Sequence, residues 1–232
     1  IAMGANADAE STQSISIGRD SRASGQNSIS MGYSPDATGS NSIALGNGAQ
    51  STQSNTIAMG QSSSASQQNC ISIGASTRSD QPNTIAIGAN ADATAYYNIA
   101  IGANSRTIDS STSSAGRALA IGLNASALAS NSISIGGESR VASTGTNGIA
   151  MGANADAEAL AAIAIGKDTG ATASRSIAIG DSPDATGIGS IAIGYNTQST
   201  SSNTIAMGES ASASASNGIA LGHSSVTDAV NG

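Results

Sequence analysis

One four-residue pattern, apolar–small–apolar–Gly, organises the whole chain. It closes at Gly4, Gly18, Gly32, Gly46, Gly60, Gly74, Gly88 and Gly102, then at Gly122, Gly136, Gly152, Gly166, Gly180, Gly194, Gly208 and Gly222. Of the 15 intervals between these 16 copies, 13 are 14 residues; the others are 20 (Gly102 to Gly122) and 16 (Gly136 to Gly152). The residue three before each Gly is Ile, except for Leu119, and the residue two before is Ala or Ser. The residue one before is Ile, Leu or Met, and all five Met of the chain stand there. A fixed period constrains the fold more than any other property, because each repeat must be one structural unit that buries its apolar surface on its neighbours. Fourteen residues with period-2 alternation hold two short strands and two turns, one coil of a β-solenoid. A helical hairpin needs a longer repeat, and this Gly and Ser content would cost it about 0.5–1 kcal/mol at many positions. The fold class predicted is therefore all-β, a parallel β-roll of about 14 residues per coil. The closing Gly is the natural place for a positive φ.

Alternation decides which way the side chains face. The two large apolar residues of each copy share one side of the strand, and the Ala or Ser between them shares the other with a Ser or Thr two residues earlier. A second strand is expected at positions three to five after the Gly, small–polar–small, as in Ala7 and Ala9, Ser21 and Ala23, or Ala91 and Ala93. A flat coil has room between its layers only for Ala, Ser and Thr. Composition agrees: hydrophobic residues make up 38%, yet Phe and Trp are absent and aromatics reach 2%, all Tyr. The Ile pairs must then point outward, in a stripe too large to be anything but an interface. The residues expected there are Ile15, Ile17, Ile43, Leu45, Ile57, Met59, Ile85, Ile87, Ile99, Ile101, Ile133, Ile135, Ile163, Ile165, Ile177, Ile179, Ile191, Ile193, Ile205 and Met207. Burying each is worth about 1.5–3 kcal/mol, which an Ala/Ser interior does not match, so assembly is expected to be part of folding.

Two further columns fit stacked coils. Asn recurs five residues before the Gly, at Asn27, Asn41, Asn55, Asn69, Asn83, Asn131, Asn147, Asn203 and Asn217, as a ladder of like amides would. Four residues after the Gly, charge alternates in sign between neighbouring coils: Asp8, Arg22, Asp36; Arg78, Asp92, Arg106; Arg140, Asp156. Such pairs are expected to fix register more than to add stability. Above the 14-residue period, IAMGANADAE (1–10) recurs identically at 149–158, SPDATG (34–39) at 182–187, and QSTQSNTIAMG (50–60) as QSTSSNTIAMG (198–208), each offset by 148 residues. Length is evidently adjusted by duplicating coils.

Few residues could carry chemistry. Eight Lys+Arg in a chain of formal net charge −7 supply no basic stripe, so no nucleic acid is expected as a partner. Cys70 is the one cysteine and His223 the one histidine, which leaves no disulfide framework, metal pair or triad. Cys70 occupies a column of small residues and is expected buried; His223 occupies a variable, solvent-facing one. The glycines do not lead into helices, so no phosphate loop is implied. Asp181 and Asp184 flank Pro183 without the Gly-Gly-x-Gly-x-Asp calcium-roll pattern. Neither catalytic, cofactor nor metal residues are expected, and the chain is expected not to be an enzyme. No run reaches the length of a membrane span and no basic-then-apolar leader opens the sequence; the start in mid-pattern at Ile1 is read as that of an excised piece.

NSIALGNGA (41–49), NTIAMGQSS (55–63), NTIAIGANA (83–91) and NSISIGGES (131–139) resemble the head repeat of trimeric autotransporter adhesins, YadA-like surface proteins of Gram-negative bacteria. The resemblance covers essentially the whole chain, interrupted near 103–118 and 137–148. It implies a left-handed parallel β-roll, assembled as a parallel homotrimer with the apolar strands toward the axis. It also implies a place at the bacterial cell surface, with membrane attachment only through a C-terminal outer-membrane anchor outside this chain, and binding to host extracellular matrix such as collagen or to host cells, with autoagglutination. The head is expected over 1–222, with 223–232 a last partial coil or the start of a neck, since TDAVNG (227–232) resembles the latter. Ser63, Ser105, Ser139 and Ser225 match the final serine of the motif, whose first role is folding; Ala49, Ala91, Ala155 and Ala211 depart from it.

Breaks in the pattern and exposed aromatics are the candidate contact points, because loops on rigid scaffolds carry recognition and aromatics anchor interfaces. They are Tyr33, Tyr96, Tyr97 and Tyr195, with Arg106, Ile108 and Asp109 in the segment holding six extra residues; a smaller bulge is expected around 143–147. Tolerated insertions without a ligand are the competing reading of both breaks. Three other functions compete: a surface spacer with no ligand of its own, an ice-binding solenoid, which needs a flat Thr array where this chain has Ile, and a left-handed acyltransferase helix, whose six-residue period does not divide 14.

Overall fold

The structure, a computed structural model, describes residues 1–107 and 116–227. Among these the chain forms 32 strands, two in each of sixteen coils. Chain contacts divide it into two compact units, whose described parts are 1–107 with 116–117, and 118–227. Each unit contains eight coils and two parallel ladders. The first ladder of the first unit runs from Ala2–Met3 through Ile15–Ile17 and Ile85–Ile87 to Ile99–Ile101, and the second from Asp8–Ala9 to Arg106–Thr107. Every pairing joins a residue to the one a repeat later, as in Ile71↔Ile85 and Ile85↔Ile99. In the second unit Ile133 pairs with Ile149 across the 16-residue coil, and the register resumes at Ile149↔Ile163.

The burial pattern follows the alternation. In Ile85–Ile87 the central Ala is fully buried and both Ile are half-buried. The interior of the first unit is built from groups such as Ala37, Ala44, Ala49, Ala58, Ala65 and Cys70, and that of the second from Ala150, Ala155, Ala157, Ala164 and their stacked equivalents. Among the described residues Val141 and Asn98 head the fully buried side chains by volume, and no buried residue is larger than these. Many hydroxyls that accompany the Ala bond across the coil or to a local carbonyl: Ser51 Oγ and Thr56 Oγ1 are 2.7 Å apart, and Thr84 Oγ1 donates to Gln81 O at 2.7 Å. Ser28, Ser42, Ser72 and Ser190 Oγ are buried without a partner among the described residues. Cys70 stands in this hydroxyl column and acts like its neighbours, with Sγ 3.0 Å from Gln81 O and 3.2 Å from Thr84 Oγ1. It is thus a serine-like donor as well as a small buried filler.

Each coil turns at two corners. The closing Gly has φ between +108° and +139°, and the residue two later is left-handed. The second corner, five residues before the next Gly, is left-handed again, at Asn27, Asn41, Asn55, Asn69 and Asn83 among others. Asn tolerates that conformation better than most side chains, so the Asn column has a backbone cause besides its amide ladder. A Cβ on Gly88 would lie 2.5 Å from the carbonyl oxygen of Gly102 in the next coil. The closing Gly position is therefore barred to side chains twice over, by φ and by the close approach of successive coils.

The 16-residue coil shows how an irregularity is absorbed. Ser143 and Thr144, the two added residues, are exposed. Val141 replaces the usual Ala in the core column, while Gly148 replaces the usual Ser or Thr facing it. A Cβ at Gly145 or Gly148 would lie 2.6 or 2.9 Å from Val141 Cγ1. The extra methyls occupy the room those glycines leave.

Candidate functional site

The outward face of the first ladder is the most extensive candidate in either unit. In the first unit it carries Ile15, Ile17, Ile43, Leu45, Ile57, Ile85, Ile87, Ile99 and Ile101, all half-buried by stacking on their own neighbours, with Met59 exposed. In the second it carries Ile133, Ile135, Ile163, Ile165, Ile177, Ile179, Ile191, Ile193 and Ile205, equally half-buried, with Met207 exposed. No charged side chain interrupts these two columns. Identical residues one coil apart, at about 4.8 Å, make a flat apolar surface whose repeat a second copy of the same chain would match.

The outward face of the second ladder is polar. Arg78 Nε lies 3.1 Å from Asp92 and 2.9 Å from Asp80. Arg140 Nη2 lies 2.9 Å from Asp156 and 2.5 Å from Glu158, and the hydrogen bond to Asp156 leads the causes that hold its guanidinium pKa above the ordinary value. Arg22, in contrast, reaches not its column neighbours but Glu10, at 3.8 Å. The sign alternation expected in this column is thus realised directly at Arg78–Asp92 and Arg140–Asp156. Acids six residues after the Gly (Glu10, Asp80, Glu158) lie on the same face and share the arginines, a second acidic column that sequence reasoning passed over.

Amide ladders run along the corners. Asn27 Nδ2 donates to Asn41 at 3.0 Å, and the chain of bonds continues through Asn55 and Asn69 to Asn83; Asn203 donates to Asn217 at 3.4 Å. A second set occupies the position two after the Gly: Asn6 to Asp20 at 2.8 Å, Asn90 to Asn104 at 3.1 Å and Asn154 to Asp168 at 2.9 Å. This ladder was also missed; its signal is the enrichment of Asn, Asp and Ser in that column. Asp168 receives Lys167 Nζ at 2.6 Å as well, and the bonds from Lys167 and then Asn154 hold its carboxyl below the usual carboxylate range.

In the first unit the described candidate contact residues fall on different coils. Tyr33 is exposed at a first corner, with the Arg19 guanidinium 4.3 Å from its ring centroid. Tyr96 and Tyr97 are exposed at a second corner four coils on, and Tyr97 adopts φ +59°, a strained position for a bulky side chain. Gly116 lies against them, where a Cβ would be 2.1 Å from Tyr96 O. Arg106 is exposed in the strand Arg106–Thr107, while Ile108 and Asp109 fall outside the described residues, as do the six extra residues of that segment. In the second unit Tyr195 is exposed and pairs in register with Asp181, which pairs with Lys167. His223 is exposed, and among the described residues no group of His, Cys, Asp and Glu could hold a metal ion. No described helix is long and apolar enough to cross a membrane.

The family model described as "YadA head domain repeat (2 copies)" matches the chain at residues 1–21, 9–34, 23–49, 37–63, 51–77, 79–105, 113–139, 143–169, 157–182, 185–208 and 199–225. Comparison with curated proteins finds no match.

Proposed function

Because the chain belongs to the YadA head domain repeat family, we propose that it is the non-enzymatic head of a trimeric autotransporter adhesin, displayed on the bacterial surface and attaching the cell to host matrix or host cells. The observation that carries this reading is the uninterrupted double column of outward Ile, Leu and Met on the first ladder of each unit. Such a surface is too apolar and too regular to remain in water. Its repeat fits another copy of itself better than any irregular partner. In this reading the coils are left-handed, three parallel chains bring their first ladders to a common axis, and the polar second ladder faces outward. The head extends over 1–222, with 223–232 a last partial coil or the start of a neck.

Recognition falls to what stays outside. Tyr33 with Arg19, the Tyr96–Tyr97 pair, Arg106, Ile108 and Asp109, and Tyr195 with its register partner Asp181 are the proposed contacts for collagen, other matrix proteins or cell surfaces. Autoagglutination would use the same exposed surface between bacteria. Light scattering on the purified chain tests the assembly: the mass of three chains is expected, and a well-folded monomer overturns it. A binding screen against collagen and other matrix proteins tests the adhesive role; a trimer that binds none of them, and no host cell, would be a spacer.

A further inference from the structure

Association alone does not explain the distribution of methionine. All five Met stand in the column directly before the closing Gly. In the first unit the register sets Met3 beside Ile17, Met31 between Ile17 and Leu45, and Met59 between Leu45 and Ile73. In the second, Met151 lies between Ile135 and Ile165, and Met207 between Ile193 and Leu221. Each thioether is thus flanked by branched side chains and never by another Met. The unbranched Met projects further than its neighbours inside the stack: Met31, Met59 and Met151 are 37–40% exposed, while Ile17, Leu45, Ile73, Ile135 and Ile165 are half-buried. Met3 and Met207 stand in or next to an end coil, where Leu221 too is exposed. The two outward columns hold only Ile, Leu and Met, and Cys70 is enclosed in the interior. Sulfur in the Met column is therefore the one readily oxidised group on this face.

We infer that the Met column is an oxidation site that decides whether a chain can still associate. A peroxide is the oxidant. A lone pair of the thioether sulfur attacks one peroxide oxygen, the O–O bond breaks, an S–O bond forms, and the departing hydroxide takes up a proton to leave as water. Sulfur loses two electrons and the peroxide gains them. The product, methionine sulfoxide, places a polar group on a surface that contributes to association only through apolar burial, where it meets no hydrogen-bond donor. A chain that has already associated shelters its thioethers, and a chain that has not is disabled by the same dose. This rests on the proposed association of copies through the first ladder.

The test uses the full chain. Its mass is first read by light scattering, since a folded monomer would overturn the proposed assembly and this inference with it. On the associated protein, hydrogen peroxide treatment followed by peptide mass spectrometry should show Met31, Met59, Met151 and Met207 oxidised at least about tenfold more slowly than in the urea-unfolded chain. Equal rates in an associated protein overturn the inference while leaving assembly standing. Chain oxidised in urea and then diluted is expected to lose about tenfold in associated material against an untreated control. The M31L/M59L/M151L/M207L variant, which nearly conserves side-chain volume, should associate equally before and after peroxide. Undiminished association of the fully oxidised wild-type chain likewise overturns it.

Discussion

At the residue scale the decisive quantity is φ. Two residues per coil are left-handed besides the closing Gly, and each position has its own tolerance. Gly88 combines φ +125° with a next-coil carbonyl 2.5 Å from any added Cβ. Gly88→Ala should destabilise by about 3 kcal/mol or more, since strain and overlap add. Gly48 has φ +63° with only Ser62 Oγ at 4.0 Å, so Gly48→Asn should stay within about 0.5 kcal/mol; thermal melts of both variants separate the two kinds of glycine. Ala161 occupies the Asn column at φ +54°, where Ala carries a steric cost that Asn partly escapes. Ala161→Asn should raise stability by about 0.5–1 kcal/mol, read as a higher unfolding midpoint in urea. The closing glycines were legible in the sequence because they never vary, and the Asn column because Asn recurs there at nine positions, though Gln13, Tyr97, Arg117, Ala161, Arg175 and Gly189 interrupt it. The other left-handed column was not, since Asn, Asp, Ser, Gly and even Glu138 fill it and resemble ordinary surface polarity.

At the scale of strands, legibility depended on chemistry repeating in one column. The small–polar–small second strand was readable from Ser21, Arg22 and Ala23, and the structure buries the first and third. The pairing of charges was less readable, because Glu10, Asp80 and Glu158 come from a different column on the same face and divide the attention of the arginines. Asp92 nevertheless lies in register between Arg78 and Arg106. Asp92→Arg would remove the 3.1 Å contact with Arg78 and line up three like charges. A loss of about 1 kcal/mol, or roughly 2–4 °C in Tm, is expected and should shrink in high salt; an unchanged Tm would remove register-keeping from this column. The exchange of Val141 against Gly145 and Gly148 is echoed only by Gly218 facing Thr227 among the described coils, so pattern reading could locate the two-residue insertion but not the packing that accommodates it.

For the whole molecule the interior is too thin to supply a conventional core, and the apolar area goes to the outside of the first ladders. Ile85 and Ile87 make the point testable: the I85D/I87D double variant leaves the buried Ala86 column intact and places two carboxylates on the stripe. It should lose association by light scattering and, because assembly is part of folding, its β-type circular dichroism with it. Retained association with unaltered spectra would remove this face from the interface. The uniform spacing has a mechanical consequence as well. Within each unit every coil is held to the next by nearly the same set of backbone bonds, so no coil is a designed weak link. A chain drawn out by its ends in a force spectrometer should yield in equal steps. Each step releases one 14-residue coil, or roughly 45 Å of contour once the stacking distance is subtracted. A tether that lengthens in small equal increments spreads a sudden load over time, a property the adhesive role proposed for this chain would use.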